Sequence, residues 1–276
     1  MSLEIVSLSD VGRKRPHNED SIVTDISNGL VILADGMGGY KAGEVASALA
    51  VVTIQKDISD GLMDVQDTSD NPANKTKLAA DLVRDAINHA NSNIYSMAKS
   101  NAECHGMGTT IVIGLFHDNK ISIGNVGDSR LYRLRTGEFK QITKDHSLIQ
   151  ELIDRGLYSR DEAYAKMPKN LVTRALGLDK KVEADILEEE VQPDDIYLLC
   201  SDGLNDMVND EEIHLTLSKY SANLVQAAEH LVQLANTNGG KDNISVVLVR
   251  ITGGDATQPG SGYFTKTIKR FIDARE

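Results

Sequence analysis

The sequence lacks tryptophan altogether, and it has only two cysteines among its 276 residues. Cys104 and Cys200 stand in unrelated contexts, without the spacing that a thiolate metal site requires. This excludes a cysteine-based metal site. Cys200 lies within an apolar run and is expected to be a reduced core residue, which indicates a cytoplasmic protein.

Long apolar runs are also missing, since none approaches the roughly 20 residues that a membrane-spanning helix needs. Residues 1–4 have neither the basic region nor the apolar core of a signal peptide. The formal net charge is −12, and the body of the chain has no basic patch of the kind that nucleic-acid phosphates require. We therefore expect no transmembrane segment, no nucleic-acid partner and a monomeric protein.

What the sequence does contain is a series of short apolar runs beside aspartates. The run 30–33 precedes Asp35 and Gly36, so a buried strand would aim the carboxylate while the glycine brings a backbone carbonyl close. Asp128 and Asp202 follow similar runs, and Asp242 precedes one. An isolated Asp-Gly pair usually marks only a turn. Because converging carboxylates repel unless cations neutralise them, the repeated pattern predicts one oxygen-rich magnesium or manganese site.

Strand and helix signals occur in separate groups along the chain. Three hairpins are predicted, which pair residues 21–25 with 29–34, 110–116 with 120–126, and 129–134 with 138–142. Apolar spacing predicts a helix that begins near Gly43 and carries Val45, Leu49 and Val52, and two more over 78–97 and 224–235. Because both faces of a sheet need cover, the pattern predicts an α+β fold with helices outside stacked antiparallel sheets.

Six motifs along the chain carry a resemblance to a known family. They are Arg15-Pro16-His17-Asn18-Glu19-Asp20, Asp35-Gly36-Met37-Gly38-Gly39, Gly106-Met107-Gly108-Thr109-Thr110, Gly127-Asp128-Ser129-Arg130, Ser201-Asp202-Gly203 and Asp242-Asn243. In this order they resemble the motifs of bacterial metal-dependent serine/threonine protein phosphatases of type 2C, over residues 3–251. The resemblance implies a four-layer α-β-β-α sandwich with two stacked antiparallel sheets. It also implies a catalytic domain over 1–252 with a mobile flap at about 145–177, followed by a linker and tail over 253–276.

The activity implied by this resemblance is hydrolysis of phosphoserine and phosphothreonine in proteins, opposing a bacterial serine/threonine kinase. The nucleophile would be a hydroxide that bridges two divalent ions, Mn²⁺ or Mg²⁺. Arg15 would clamp the phosphate through its two parallel donors. The implied ligands of the two ions are Asp35, which bridges them, the Gly36 carbonyl, Asp202 and Asp242. Asp128 would bind a third, weaker ion that it shares with Asp202. Glu19 and Asp20 would act through water.

Three alternatives stay open on the sequence. A non-catalytic regulatory module of the same fold is the alternative function, although Asp35, Asp202 and Asp242 are all present. Met37 stands where animal-type relatives often have histidine, so no general acid is assigned, and His17 and His146 are more usual as structural residues. The amphipathic stretch 263–272 could fold back on the body, dock on a partner such as the kinase, or touch an anionic membrane.

Overall fold

The computed structural model describes residues 1–39, 42–66, 72–168 and 171–253. Within these ranges the strands are β1 (Ser2–Asp10), β2 (Asp20–Asp25), β3 (Leu30–Met37), β4 (Gly108–Thr109), β5 (Ile111–His117), β6 (Lys120–Val126), β7 (Arg130–Arg135), β8 (Glu138–Gln141), β9 (Asp185–Glu190), β10 (Ile196–Cys200) and β11 (Ile244–Thr252). The helices are α1 (Ala42–Gln66), α2 (Pro72–Ser100), α3 (Leu148–Asp154), α4 (Arg160–Lys166), α5 (Asp202–Asn205), α6 (Asp210–Lys219) and α7 (Leu224–Thr237), with a 3₁₀ turn at Ala102–Cys104.

The strands form two antiparallel sheets. One has the order β1-β11-β10-β7-β8, and the other has the order β2-β3-β5-β6-β9 with β4 paired to β3. The three predicted hairpins are confirmed, because β2 pairs with β3, β5 with β6, and β7 with β8. The register of the first hairpin places Asp20 opposite Asp35. Two acidic residues therefore lie side by side at one end of that sheet.

Strand β3 shows how the sequence builds the layers. Leu30 and Ile32 pack with α1 and α2, whereas Val31 and Leu33 pack against the other sheet. Because successive side chains of a strand point to opposite faces, an uninterrupted apolar run fits a strand that is buried on both sides. The strand continues two residues past Asp35, to Met37, so the predicted turn begins later than expected.

Three groups of buried apolar side chains separate four layers. The first lies between α1, α2 and the sheet that contains β3, the second lies between the two sheets, and the third joins the other sheet to α6 and α7. The predicted α7 stripe is confirmed, with all four of its residues buried: Leu224, Ala228, Leu231 and Ala235. The expected α+β, four-layer α-β-β-α sandwich is confirmed.

Helix α1 differs from its predicted packing. Val52 was expected on the buried stripe, but its side chain is 61% exposed. The buried stripe instead follows small residues and isoleucines at every fourth position: Ala42, Ala46, Ala50, Ile54 and Ile58. Since alanines let the helix approach the sheet closely, the line of largest side chains does not mark the buried face here.

The flap and the C-terminal tail were the two subdivisions predicted outside the core of the sandwich. The predicted flap, residues 145–177, contains the short helices α3 and α4, each begun by a serine cap. The predicted linker and tail lie outside the described residues, apart from Gly253. Of the helices that the structure describes, none combines the length and the hydropathy that a membrane span requires.

Candidate metal centre

Asp35 lies near the end of β3, where neighbouring strands hold its backbone at both polar atoms. Its N–H donates to Thr110 Oγ1 at 3.1 Å, and its carbonyl accepts from the Thr110 N–H at 2.9 Å. Asp20 lies opposite it in β2. Because both aspartates belong to a paired hairpin, their carboxylates are positioned by the sheet rather than by a loop.

Gly36 sits where only a glycine fits between two backbones. Its N–H donates to the Glu19 carbonyl at 3.1 Å. A Cβ added at Gly36 would meet the carbonyl oxygen of Gly43 at the start of α1, and would lie 2.6 Å from the Glu19 carbonyl oxygen. The residue predicted to offer its carbonyl to a cation is therefore held in a close-packed position beside Asp35.

The second sheet supplies Asp202 and Asp242 from the ends of β10 and β11. Asp202 opens α5 two residues after β10 ends, and Asp242 lies two residues before β11 begins. Ser201 joins the sheets, because its Oγ donates to Asp20 Oδ2 at 2.9 Å and accepts from the Ser245 N–H at 3.0 Å. The structure thus brings together carboxylates from both sheets at one end of the sandwich.

The electrostatics of these carboxylates show that they share one environment. Burial raises the pKa of Asp35 well above its ordinary value, and the charges of Asp20, Asp202, Asp128 and Asp242 raise it further. Burial likewise raises the pKa of Asp20 to about 6 and the pKa of Asp128 to about 7. Clustered carboxylates that raise each other's pKa form a region where a cation is stabilised.

Two buried oxygens test whether divalent cations fit this region. Asp20 Oδ1 and Asp202 Oδ1 are buried and have no hydrogen-bond partner among the described residues. A buried carboxylate oxygen without a donor is costly, and a hard cation is a partner that also offsets the mutual repulsion. In the described ranges no group of three or more His, Cys, Asp or Glu side chains is placed to hold a metal ion as it stands. The donor set and the unpartnered oxygens nevertheless fit Mg²⁺ or Mn²⁺.

Arg15 lies at the rim of this region. Its Nη2 donates to Asp242 Oδ2 at 2.6 Å, and its side chain is about half exposed. The hydrogen bond from Arg15 to Asp242 raises the pKa of the guanidinium, so it stays charged. With Lys241 and Met207 it borders a cleft of about 300 Å³ that reaches Asp202. A phosphate in this cleft would meet a cationic fork on one side and the carboxylate region on the other.

Glu19 lies on the segment that carries Arg15, near enough to Arg15 and Asp242 for their charges to act on it. Burial raises the pKa of Glu19, while the charge of Arg15 lowers it. Asn243 anchors this segment, because its Nδ2 donates to the carbonyls of Val11 and His17 and its Oδ1 accepts from the Glu19 N–H. The motif Asp242-Asn243 identified this asparagine, but its anchoring role could be read only from the structure.

Asp128 follows β6 and is 7% exposed. Burial raises the pKa of Asp202, and the charges of Asp128 and Asp206 raise it further. No sequence motif marks Asp206. Its four-residue spacing from Asp202 on the α5 turn was the available signal, because residues at that spacing share a helix face.

The two histidines considered as general acids lie in different surroundings. His17 is exposed, and its carbonyl anchors the Asn243 side chain. His146 is buried, and its ring lies between Gly127 and Asp185. Neither placement assigns a protein side chain to protonate a leaving group.

This chain is similar in sequence to known protein phosphatases. The family model for protein phosphatase 2C matches residues 13–239. Serine/threonine phosphatase stp of Listeria monocytogenes is 39% identical over 255 residues, which cover 91% of this chain and 96% of that protein. Protein phosphatase PhpP of Streptococcus pneumoniae is 35% identical over 261 residues, which cover 92% of this chain and 100% of that protein.

One solved structure that is similar to this chain contains manganese ions. The crystal structure of the catalytic domain of serine/threonine protein phosphatase PstP in complex with two manganese ions has a TM-score of 0.78 to this chain. It is 35% identical, and the match covers 91% of this chain and 99% of that chain. The chain therefore belongs to the protein phosphatase 2C family and is a metal-dependent protein phosphatase.

Proposed function

We propose that this chain hydrolyses phosphoserine and phosphothreonine in proteins by direct attack of water at a centre with two divalent cations, Mn²⁺ or Mg²⁺. The observation that carries the proposal is the meeting of aspartates from both sheets beside the Arg15 cleft. Relatives named serine/threonine phosphatases support the substrate class. The complete set of predicted ligands disfavours a non-catalytic module of the same fold.

Different carboxylates of this region would bind different proposed cations. When bound, a pair of divalent cations lowers the pKa of water and neutralises phosphate oxygens. Asp35 would bridge the pair, and a third, weaker cation would lie on the Asp128 side. The pair would also be held by the Gly36 carbonyl, Asp202 and Asp242. The third cation would be held by Asp128 together with Asp202 and Asp206. Glu19 and Asp20 would act on the cations through ordered water.

The protein's own residues orient the phosphomonoester for this reaction. Arg15 would hold the phosphate oxygens through its fork, with phosphorus directed toward the aspartates. Each turnover forms a bond from a water oxygen to phosphorus and breaks the bond from phosphorus to the serine or threonine oxygen. The leaving oxygen takes a proton, so the products are inorganic phosphate and a free hydroxyl. Because Met37 cannot supply that proton, solvent water is its proposed source.

Phosphate release from matched peptides tests the proposed function. The purified full chain with Mn²⁺ should release phosphate from phosphoserine and phosphothreonine peptides faster than from the same peptide with phosphotyrosine. A chelator should abolish this release, and added Mn²⁺ should restore it. Release that survives the chelator, or a clear preference for phosphotyrosine, would contradict the proposal.

Arg15→Ala should raise KM for a phosphopeptide about tenfold and lower kcat less, because the clamp binds substrate and transition state alike. Initial rates across peptide concentrations, at saturating Mn²⁺, measure this. Lys14→Ala is the matched control, since it removes the same charge from the exposed neighbour of Arg15. An unchanged KM in the Arg15 variant, or equal changes in both variants, would place the clamp elsewhere.

We also propose the biological setting and the domain roles. The substrates would be proteins phosphorylated by a cognate bacterial serine/threonine kinase, and the enzyme would act as a monomer. Its two cysteines are free and buried, which supports a cytoplasmic location. Residues 1–252 would form the catalytic domain, and the flap at about 145–177 would select among phosphoproteins. Residues 253–276 would form a separable linker and tail.

A further inference from the structure

His146 forms hydrogen bonds with both polar groups of the Gly127 backbone. The Gly127 N–H donates to His146 Nδ1 at 3.1 Å, and the His146 N–H donates to the Gly127 carbonyl at 2.9 Å. The histidine side chain is 6% exposed. Gly127 directly precedes Asp128 in the turn that follows β6. One residue therefore holds the peptide units on which the Asp128 carboxylate depends.

The backbone conformation of Gly127 makes its hydrogen bonds with His146 important. Its φ is +109°, a value that L side chains rarely adopt. A Cβ added there would lie 2.6 Å from the Thr110 side chain. Gly127 itself has no side chain to hold it, so its position depends on its backbone bonds to His146 and on the neighbouring Ser129 hydroxyl, which lies 2.7 Å from Thr110 Oγ1.

The ring of His146 is arranged to accept from Gly127 and to donate on its other side. Burial lowers the pKa of His146, which keeps the imidazole neutral. Since Nδ1 accepts from an N–H, the ring proton lies on Nε2, which is 3.3 Å from both Asp185 Oδ2 and Arg174 Nη1. Asp185 also pairs with Arg174 at 3.3 Å. This second-side contact fixes the rotation of the ring and therefore aims Nδ1 at Gly127.

The same histidine also contacts the end of the predicted flap. Its carbonyl accepts from the Thr173 N–H at 2.8 Å. His146 itself lies at the start of this flap, so both ends of the flap and the Asp128 turn meet at one buried residue.

We infer that His146 is a positioning residue for Asp128, which sets where that carboxylate lies by fixing the Gly127 turn. The inference rests on the proposed role of Asp128 at a third cation. It assigns His146 no contact with substrate or cation, so its effect on turnover should pass entirely through Asp128.

Two substitutions separate the Nδ1 contact from the rest of the ring. In His146→Asn the side-chain oxygen lies near the position of Nδ1 and can still accept from Gly127. In His146→Gln the longer amide is directed toward Asp185, and the acceptor at the Nδ1 position is lost. With an aryl phosphate at saturating Mn²⁺, the Gln variant should lose about tenfold or more in kcat, as second-layer changes do, and the Asn variant less than about threefold.

A double-mutant cycle with Asp128→Ala tests whether the effect passes through Asp128. In that background His146→Gln should lower kcat by less than about twofold. Two losses that multiply, or equal losses in the Asn and Gln variants, would overturn the inference. If wild-type protein hydrolyses no phosphomonoester, the proposed function fails instead, which separates the two failures.

Amide hydrogen exchange gives a readout that requires neither activity nor metal. In metal-free protein the Gly127 amide should exchange slowly in wild type and His146→Asn, and at least about tenfold faster in His146→Gln. His146→Leu is the second variant without the acceptor and should behave like the Gln variant. Unchanged protection of the Gly127 amide in the Gln and Leu variants would overturn the inference. Global unfolding of both variants would also overturn it, since His146 would then support the fold as a whole.

Discussion

Asp35→Asn should lower kcat more than about a hundredfold at saturating Mn²⁺ while the protein stays folded, since even supporting residues around a metal cost ten- to a hundredfold. An amide keeps the size of the side chain but cannot bridge two cations with the same charge compensation. The backbone bonds of Asp35 to Thr110 do not involve the carboxylate, so β3 should keep its place. Turnover within tenfold of wild type would exclude Asp35 as the bridge.

The same substitution should have an opposite effect on the metal-free protein. Burial and the charges of four other aspartates raise the pKa of Asp35, so a neutral amide there removes both the cost of the buried carboxylate and its repulsion. Metal-free Asp35→Asn should therefore melt at a higher temperature than metal-free wild type, and added Mn²⁺ should stabilise it less. Asp118→Asn, in the exposed turn between β5 and β6, is the matched control and should change neither quantity. A lower melting temperature for metal-free Asp35→Asn would contradict the repulsion argument.

Gly36→Ala should lower both kcat and stability, because the added methyl group meets backbone atoms that cannot rotate away. It would contact the carbonyls of Gly43 and Glu19, and so would push Asp35 and Gly36 away from α1 and β2. We expect a fall in melting temperature of about 5 °C, from a cost of about 2 kcal/mol. Activity should fall more than about tenfold, since small displacements of a ligand are costly.

Gly39→Ala is the control for this prediction within the same motif. A Cβ on Gly39 would have no atom within 4 Å, so the variant should melt close to wild type. Thermal unfolding and phosphatase rates, measured on both variants, separate steric conflict from a general loss of glycine. Similar behaviour of the two alanine variants would show that the close packing around Gly36 does not matter.

Local patterns identified much of the fold in advance. The three hairpins were predicted because short turns and flanking strands lie within a few residues of one another. The uninterrupted run of β3 also indicated a buried strand, and its two-sided packing explains the absence of polar alternation. The α1 stripe was predicted wrongly at Val52, since closely packed alanines carry a weaker pattern than larger side chains.

The site was only partly accessible to the same reasoning. Apolar runs beside aspartates indicated an oxygen-rich site, and the family motifs predicted Arg15, Glu19 and Asp20 as its further members. The supporting bonds could not be read in this way. Ser201 reaches Asp20 across 181 positions of sequence, and Arg15 reaches Asp242 across 227. Asp206 lies one helical turn after Asp202 and raises its pKa, but no motif marked it.

By itself, the sequence determined the three hairpins and the carboxylates beside strand ends, because these depend on neighbouring residues. Only the tertiary structure decided which strand ends meet. Strand β11 lies between β1 and β10 and so brings the chain's first and last described strands together. The stacking of the two sheets then places Asp20 and Asp35 from one sheet near Asp202 and Asp242 from the other. Such meetings depend on how whole buried faces pack, and local preference carries no information about that packing.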